Sequence, residues 1–147
     1  MYKLNDVLSA FQDFSIKGKF LYHQNSTLSE VCNIPAINDY SGIYLFYDNA
    51  TDELLYIGIS GRETSEGEIQ HRKDGLRGRV VKGKQFGDFR RNTLSAKMKE
   101  ENIKTLRIEW FVTYGHSEKQ IPRKWEIVLL NLYQKEFNKL PRWNKEI

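Results

Sequence analysis

The chain has 147 residues, of which 39% are hydrophobic and 29% charged, a balance that suits one globular domain and excludes wholesale disorder. It has a single cysteine, Cys32, which excludes a disulfide framework and a multi-cysteine zinc site. The net charge is only +4, but His71 to Lys99 holds ten basic residues against two acidic ones, so this segment carries +8 and the remainder −4. A basic concentration of this kind attracts polyanions, nucleic acid first among them, or else is a solvated lysine-rich surface.

Along the chain, Leu4, Val7, Leu8 and Phe11 fall on one face of an amphipathic helix. Lys17 to Asp39 shows no period, and with Pro35 and Asn38 it reads as loop. Gly42 to Tyr47 and Leu54 to Ile59 are strand-forming runs separated by Asp48 to Asp52, a β-hairpin pattern. Ser60 to Gly75 is polar with three glycines and reads as a loop. Leu76 to Lys82 and Thr93 to Glu101 read as short helices, the second with Leu94 and Met98 four apart. Alternation from Leu106 to Tyr114 predicts a half-buried strand, and helical spacing runs from Pro122 to Asn138. The tail, Pro141 to Ile147, is irregular or extended. The order α, β, β, α, α, β, α implies an α+β fold, a small sheet with helices packed on it. No apolar run approaches the roughly 20 residues of a membrane span, and the first ten residues do not form a secretory signal. The expectation is a cytoplasmic protein without a membrane partner.

Several residues stand out chemically. Tyr44 and Tyr56 lie on the two hairpin strands, and a turn centred near Ala50 would set them opposite each other on one face. Such a pair is either cross-strand packing or a device that orders water and passes a proton. Gly42 and Gly58 bracket the pair, and glycine within a strand marks a close approach of backbone or ligand. Glu126 shares a helical stripe with Leu129, Leu130, Tyr133 and Phe137. A carboxylate there is either the edge of the stripe in the first helical turn or a ligand for a hard cation such as Mg²⁺. Arg79, in the short helix, is either solvated or a phosphate clamp. His23, His71 and His116 lack metal-ligand spacing, and Cys32 reads as a buried thiol.

Gly42-Ile43-Tyr44 followed by Tyr56-Ile57-Gly58, then Leu76-x-x-Arg79, a helix bearing Glu126 and a terminal Pro141-Arg142-Trp143-Asn144, resembles the motif order of the GIY-YIG nuclease superfamily from Ser41 to Asn144. The resemblance implies a three-stranded antiparallel sheet flanked by helices at 41–144, with residues 1–40 as an N-terminal extension, within a single domain. It implies a metal-dependent endonuclease. Tyr44 would be the general base, Tyr56 would order water, Arg79 would stabilise phosphate charge and Asn144 would support the site. Glu126 would hold one Mg²⁺ or Mn²⁺ ion.

The chain departs from the pattern in two places. The position four after the arginine, often His or Tyr, is Gly83, so Lys73, His71 or Lys84 would have to assist Tyr44, with Lys73 ranked first. The interval from Glu126 to Asn144 is 18 residues, longer than is common, which leaves Asn138 as an alternative closing residue and Glu136 as an alternative ligand. The long loop 60–75 is closer to the restriction-enzyme branch. Arg72, Arg77, Lys82, Lys84, Arg90 and Arg91 are the expected contacts to double-stranded DNA. A double-strand cut would need a homodimer, with the N-terminal helix as a dimer face or as core packing, or else two successive nicks. The competing readings are a catalytically silent nucleic-acid-binding module with the same fold, and an adaptor using its basic face for acidic proteins.

Overall fold

A computed structural model describes residues 2–147. The elements are α1 (Leu4–Ala10) with a 3₁₀ turn at Phe11–Asp13, β1 (Lys17–His23), α2 (Leu28–Val31), β2 (Ser41–Asp48), β3 (Leu54–Ser60), β4 (Arg62–Glu63) and β5 (Ile69–Gln70). They continue with α3 (Gly75–Lys82), β6 (Lys84–Gln85), β7 (Asp88–Phe89), α4 (Arg90–Glu100), β8 (Thr105–Tyr114) and α5 (Pro122–Phe137). The fold is α+β. Its main sheet is antiparallel, in the order β1-β8-β2-β3.

The sheet therefore has four strands and not three. The additional strand is β1, in a stretch that reads as loop. Only Phe20 and Tyr22 of its seven residues are buried, while Lys17, Lys19, Leu21 and His23 are exposed. Lysines and a glycine on a strand with one neighbour hide its period, and they also protect an edge from pairing with another chain. Gly18 is required there, since a Cβ would stand 2.6 Å from Cζ2 of Trp110 on β8. The loop 60–75 likewise contains a small antiparallel ladder, β4 with β5.

Central strand β2 is buried from Ser41 to Tyr47, because both faces of the sheet are covered. On one face Tyr44 and Phe46 join Leu76 and Val80 of α3 and Leu94 and Met98 of α4. On the other, Ile43, Leu45 and Ile57 join Leu129, Leu130 and Tyr133 of α5 and Leu4, Val7 and Phe11 of the N-terminal segment. The N-terminal helix thus spends its apolar face on the core. No helix among the described residues is long and apolar enough to cross a membrane.

The outer edge of β3 is closed by the C-terminal tail. The Trp143 N–H donates to the Leu55 carbonyl at 2.8 Å. The Asn144 side chain accepts from the Ile57 N–H at 2.9 Å and donates to the Ile57 carbonyl at 3.0 Å, as a further strand would. Arg142 ties the tail down through Glu101 at 2.9 Å and Glu53 at 2.6 Å. Asn138 is instead the left-handed residue that ends α5, with φ of 59°.

Two phenols, buried Tyr47 and half-buried Tyr56, link this packing to pH. Burial, then the nearby carboxylate of Glu109, pushes Tyr47 well above the ordinary phenol range, against the pull of Arg107. Burial, then the neighbouring Tyr44, does the same to Tyr56. A folded-state pKa above the unfolded value of about 10 means that the native state holds the proton more tightly. That contribution is complete below pH ~10 and is lost as pH rises toward the folded-state values. The expected result is a urea midpoint that falls steeply above pH ~10 in wild type and less steeply in Tyr47→Phe, measured between pH 8 and 11.5.

Candidate active site

The site is built on the face of the hairpin that α3 and α4 cover. Tyr44 does not lie directly opposite Tyr56. Tyr44 pairs with Gly58 and Phe46 with Tyr56, in a register that shifts by one residue between Phe46 and Tyr47. The two phenols are diagonal neighbours on one face, with ring centroids 6.0 Å apart. Gly58 is needed because the Tyr44 ring lies across it: a Cβ there would be 2.3 Å from Cζ and 2.5 Å from Oη. At Gly42 the close neighbour is backbone, the Phe111 carbonyl oxygen, 1.9 Å from where a Cβ would sit. This is beside the irregularity between Ser41 and Gly42 in the pairing of β2 with β8.

The cation at Tyr44 is Arg90. Its Nη2 donates to the Tyr44 Oη at 2.8 Å. Arg90 is only 1% exposed, so it is not a surface contact to nucleic acid. It begins the stripe Arg90, Leu94, Met98, spaced i, i+4, i+8 along α4, and the packing of that stripe carries the guanidinium into the core. Its Nε donates to Gln85 Oε1 at 2.9 Å, and its Nη1 to the Arg79 and Val80 carbonyls at 2.9 and 3.0 Å. These carbonyls belong to the last turn of α3, whose orphan acceptors and dipole favour a cation. The rings of Tyr44, Phe46 and Tyr56 surround the guanidinium at 5.2, 5.2 and 5.8 Å. Gly83 leaves the necessary room, since a Cβ there would be 2.7 Å from Arg90 Nη1.

The side-chain hydrogen bond to Tyr44 comes from Arg90, and the three residues expected to assist Tyr44 are placed as follows. Lys73 precedes the left-handed Asp74 that caps α3; it is exposed and lines neither of the clefts described below. His71 Nδ1 is 2.6 Å from Ser41 Oγ. Lys84 Nζ lies over the Phe89 ring at 5.1 Å.

Arg79 and Arg72 complete a cluster with Arg90. Burial, then Arg79, lowers the Arg72 pKa, with Arg90 adding to the effect and Tyr44 opposing it. Among the described residues no carboxylate forms an ion pair with Arg72, Arg79 or Arg90. Arg72 and Arg79 line a cleft of about 320 Å³ at the Ser60 end of β3, together with His71 and Arg62.

A larger cleft, about 540 Å³, opens on the Tyr56 side, and its walls include Tyr56, Gln85, Glu126 and Asn144 with Lys84, Arg123 and Lys145 as cations. Glu126 is 14% exposed at its side chain and pairs with Arg123 one turn earlier. No group of three or more His, Cys, Asp or Glu that could hold a metal occurs among the described residues. A hard cation here would be held by Glu126 and completed by water and substrate oxygens. That donor set fits Mg²⁺, which binds through one or two carboxylates and keeps several waters. The Asn144 amide is spent on Ile57 and supports β3.

The other basic residues divide. Arg77 is structural: it donates to the carbonyls of Ser29, Cys32 and Ile34 and fixes that segment to α3. Lys82 is exposed, 3.8 Å from Asp74, and Arg91 is exposed with its guanidinium 4.6 Å from the Phe89 ring centroid. Cys32 is a buried free thiol whose pKa burial raises. Sequence reasoning passed over Gln85, Arg123 and Lys145, whose types at loop and helix-start positions carry no period or motif. The position of Arg90 was readable by extending the Leu94, Met98 stripe back by four.

Comparison of the chain with family models, with curated proteins and with solved structures finds no match in any of the three.

The close approach at Gly58 has a direct consequence. Gly58→Ala is expected to destabilise the fold by about 1–3 kcal/mol, the usual cost of overpacking, as read from urea unfolding.

Proposed function

We propose that the chain is a metal-dependent endonuclease that hydrolyses phosphodiester bonds in double-stranded DNA, as its resemblance to the GIY-YIG superfamily implies. The observation that carries this reading is the gathering of three guanidiniums and two phenols on one face of the hairpin, with no carboxylate among the described residues paired to any of the three. Arg90 spends its donors on the protein, but Arg72 and Arg79 line a cleft where an anion would match the charge, and the planar guanidinium fork suits phosphate.

Roles follow from the environments. Tyr56 is held protonated by burial and by its neighbour, so it acts as a donor that orders water or a phosphate oxygen. Tyr44 is the proton acceptor, the role the resemblance implies, and its oxygen accepts a hydrogen bond from Arg90 Nη2 at 2.8 Å. In the reaction, the water oxygen bonds to phosphorus as its proton passes to Tyr44. The ester bond on the opposite side breaks, and the leaving oxygen takes up a proton from solvent. Arg79 and Arg72 stabilise the charge on the non-bridging oxygens. A divalent cation held by Glu126 would supply Lewis-acid stabilisation of the leaving oxygen.

One observation favours the silent binding module instead: Tyr44 has no exposed surface, so water must reach its oxygen beside Tyr56. Nicking of supercoiled plasmid in Mg²⁺ or Mn²⁺ against EDTA separates the two. Cutting is expected only with metal, and Glu126→Gln and Arg79→Ala are each expected to lower the rate by roughly 10²-fold or more while remaining folded. Folded wild type that binds DNA but leaves the plasmid intact with both metals would establish the binding module.

A further inference from the structure

Gln85 carries a polar group that the proposed chemistry leaves unused. It lies in β6, is 8% exposed, and forms part of the wall of the larger cleft. Its Oε1 accepts from Arg90 Nε at 2.9 Å, and its backbone carbonyl accepts from Thr93 Oγ1 at 2.8 Å. Its Nε2 is buried and has no hydrogen-bond partner, the one such side-chain atom among the described residues. The amide cannot be turned to relieve this. Arginine nitrogens only donate, so the oxygen must face Arg90 and the NH₂ must face away from it. Leaving a buried donor unpaired is costly, and the usual reasons for keeping one are a bound water or ion, strain, or a catalytic role.

We propose that Gln85 Nε2 donates to a phosphate oxygen of a nucleic-acid backbone seated in this cleft, with Arg90 as the residue that positions it. The inference rests on the nuclease reading and extends its substrate contacts. Three features favour an anionic oxygen as the acceptor. The amide oxygen is hydrogen-bonded to a permanent cation, which polarises the NH₂ and strengthens it as a donor. Lys84 and Lys145 add positive charge on the same cleft against the single carboxylate side chain of Glu146, and the charge of Glu126 is paired with Arg123. Tyr44 and Gln85 are both held by one guanidinium, which fixes the phenol and the amide relative to each other. A neutral amide also serves this position where a carboxylate would not, although a carboxylate would stabilise the fold by neutralising Arg90.

That last contrast supplies the test. The probe is thymidine 3′,5′-bisphosphate in EDTA, titrated by NMR and calorimetry into the full chain. In wild type the Gln85 side-chain amide resonances are expected to shift as the probe binds. Gln85→Glu is expected to raise the melting temperature, through an ion pair with Arg90, and to weaken probe binding at least tenfold. A merely structural glutamine would give the gain in stability with binding unchanged. Absence of probe binding, amide resonances that stay fixed while the probe binds, or a Gln85→Glu protein that binds as wild type does would each overturn the proposal. The wild-type resonances decide the matter even if the variant fails to fold. Plasmid nicking run alongside keeps the two readings apart. Nicking with an unresponsive Gln85 overturns this inference alone. Gln85-dependent binding without nicking overturns the hydrolase and upholds the phosphate contact.

Discussion

A buried guanidinium without a carboxylate is the constraint around which this molecule is arranged. Arginine remains protonated in proteins, and an isolated charge taken from water into the core would be very costly. The charge of Arg90 is accommodated by two carbonyls at the end of α3, the oxygen of Gln85, the phenol of Tyr44 and the faces of three rings. Each partner imposes a requirement. α3 has to end where its carbonyls meet α4, residue 83 has to lack a side chain, and residue 58 has to lack one so that Tyr44 can lie flat. Dipoles and rings solvate the charge without neutralising it. Positive potential therefore remains on that face, and Arg72 and Arg79 add to it.

The second organising feature is the edge of β3. An exposed edge strand invites pairing with another chain. Here Asn144 and Trp143 occupy its outward hydrogen-bonding groups near Leu55 and Ile57, while the clefts open to either side of that seal. The tail that seals the edge also lines the larger cleft, so closing the fold and shaping the candidate site are one event. Arg142, Glu101 and Glu53 hold that tail in place, and the Arg142 and Lys97 contacts, with Trp143, hold the Glu101 carboxyl below its ordinary range against the effect of burial.

How much of this was legible depended on whether a residue acted through a pattern or through space. The hairpin, α3, β8 and α5 carry continuous apolar runs or helical spacing, and their positions in the sequence agree with the structure to within a residue or two. β1 was not legible because an edge strand buries only Phe20 and Tyr22 and fills its other positions with lysine, glycine and histidine. Tyr44 and Tyr56 share a face as the period of two requires, but the strands pair two residues away from the register of a turn centred at Ala50, which makes them diagonal partners. Counting charge located the basic segment and could not assign its members. Arg77 and Arg90 spend their donors on the protein, while Lys73 stays in solvent. Arg90 broke its stripe as Glu126 broke the stripe on α5. A charged residue at an apolar helical position was the readable sign in both places.

The central claim is that the guanidiniums left without carboxylates form the seat of a phosphate. The most direct test is calorimetric titration of a short DNA duplex in EDTA at two salt concentrations, comparing wild type with the Arg72→Ala, Arg79→Ala double variant. The account predicts binding that weakens as salt rises and that falls at least tenfold in the double variant, with Arg91→Ala, which lines neither cleft, affected far less. Binding by the double variant as tight as that of wild type would contradict it.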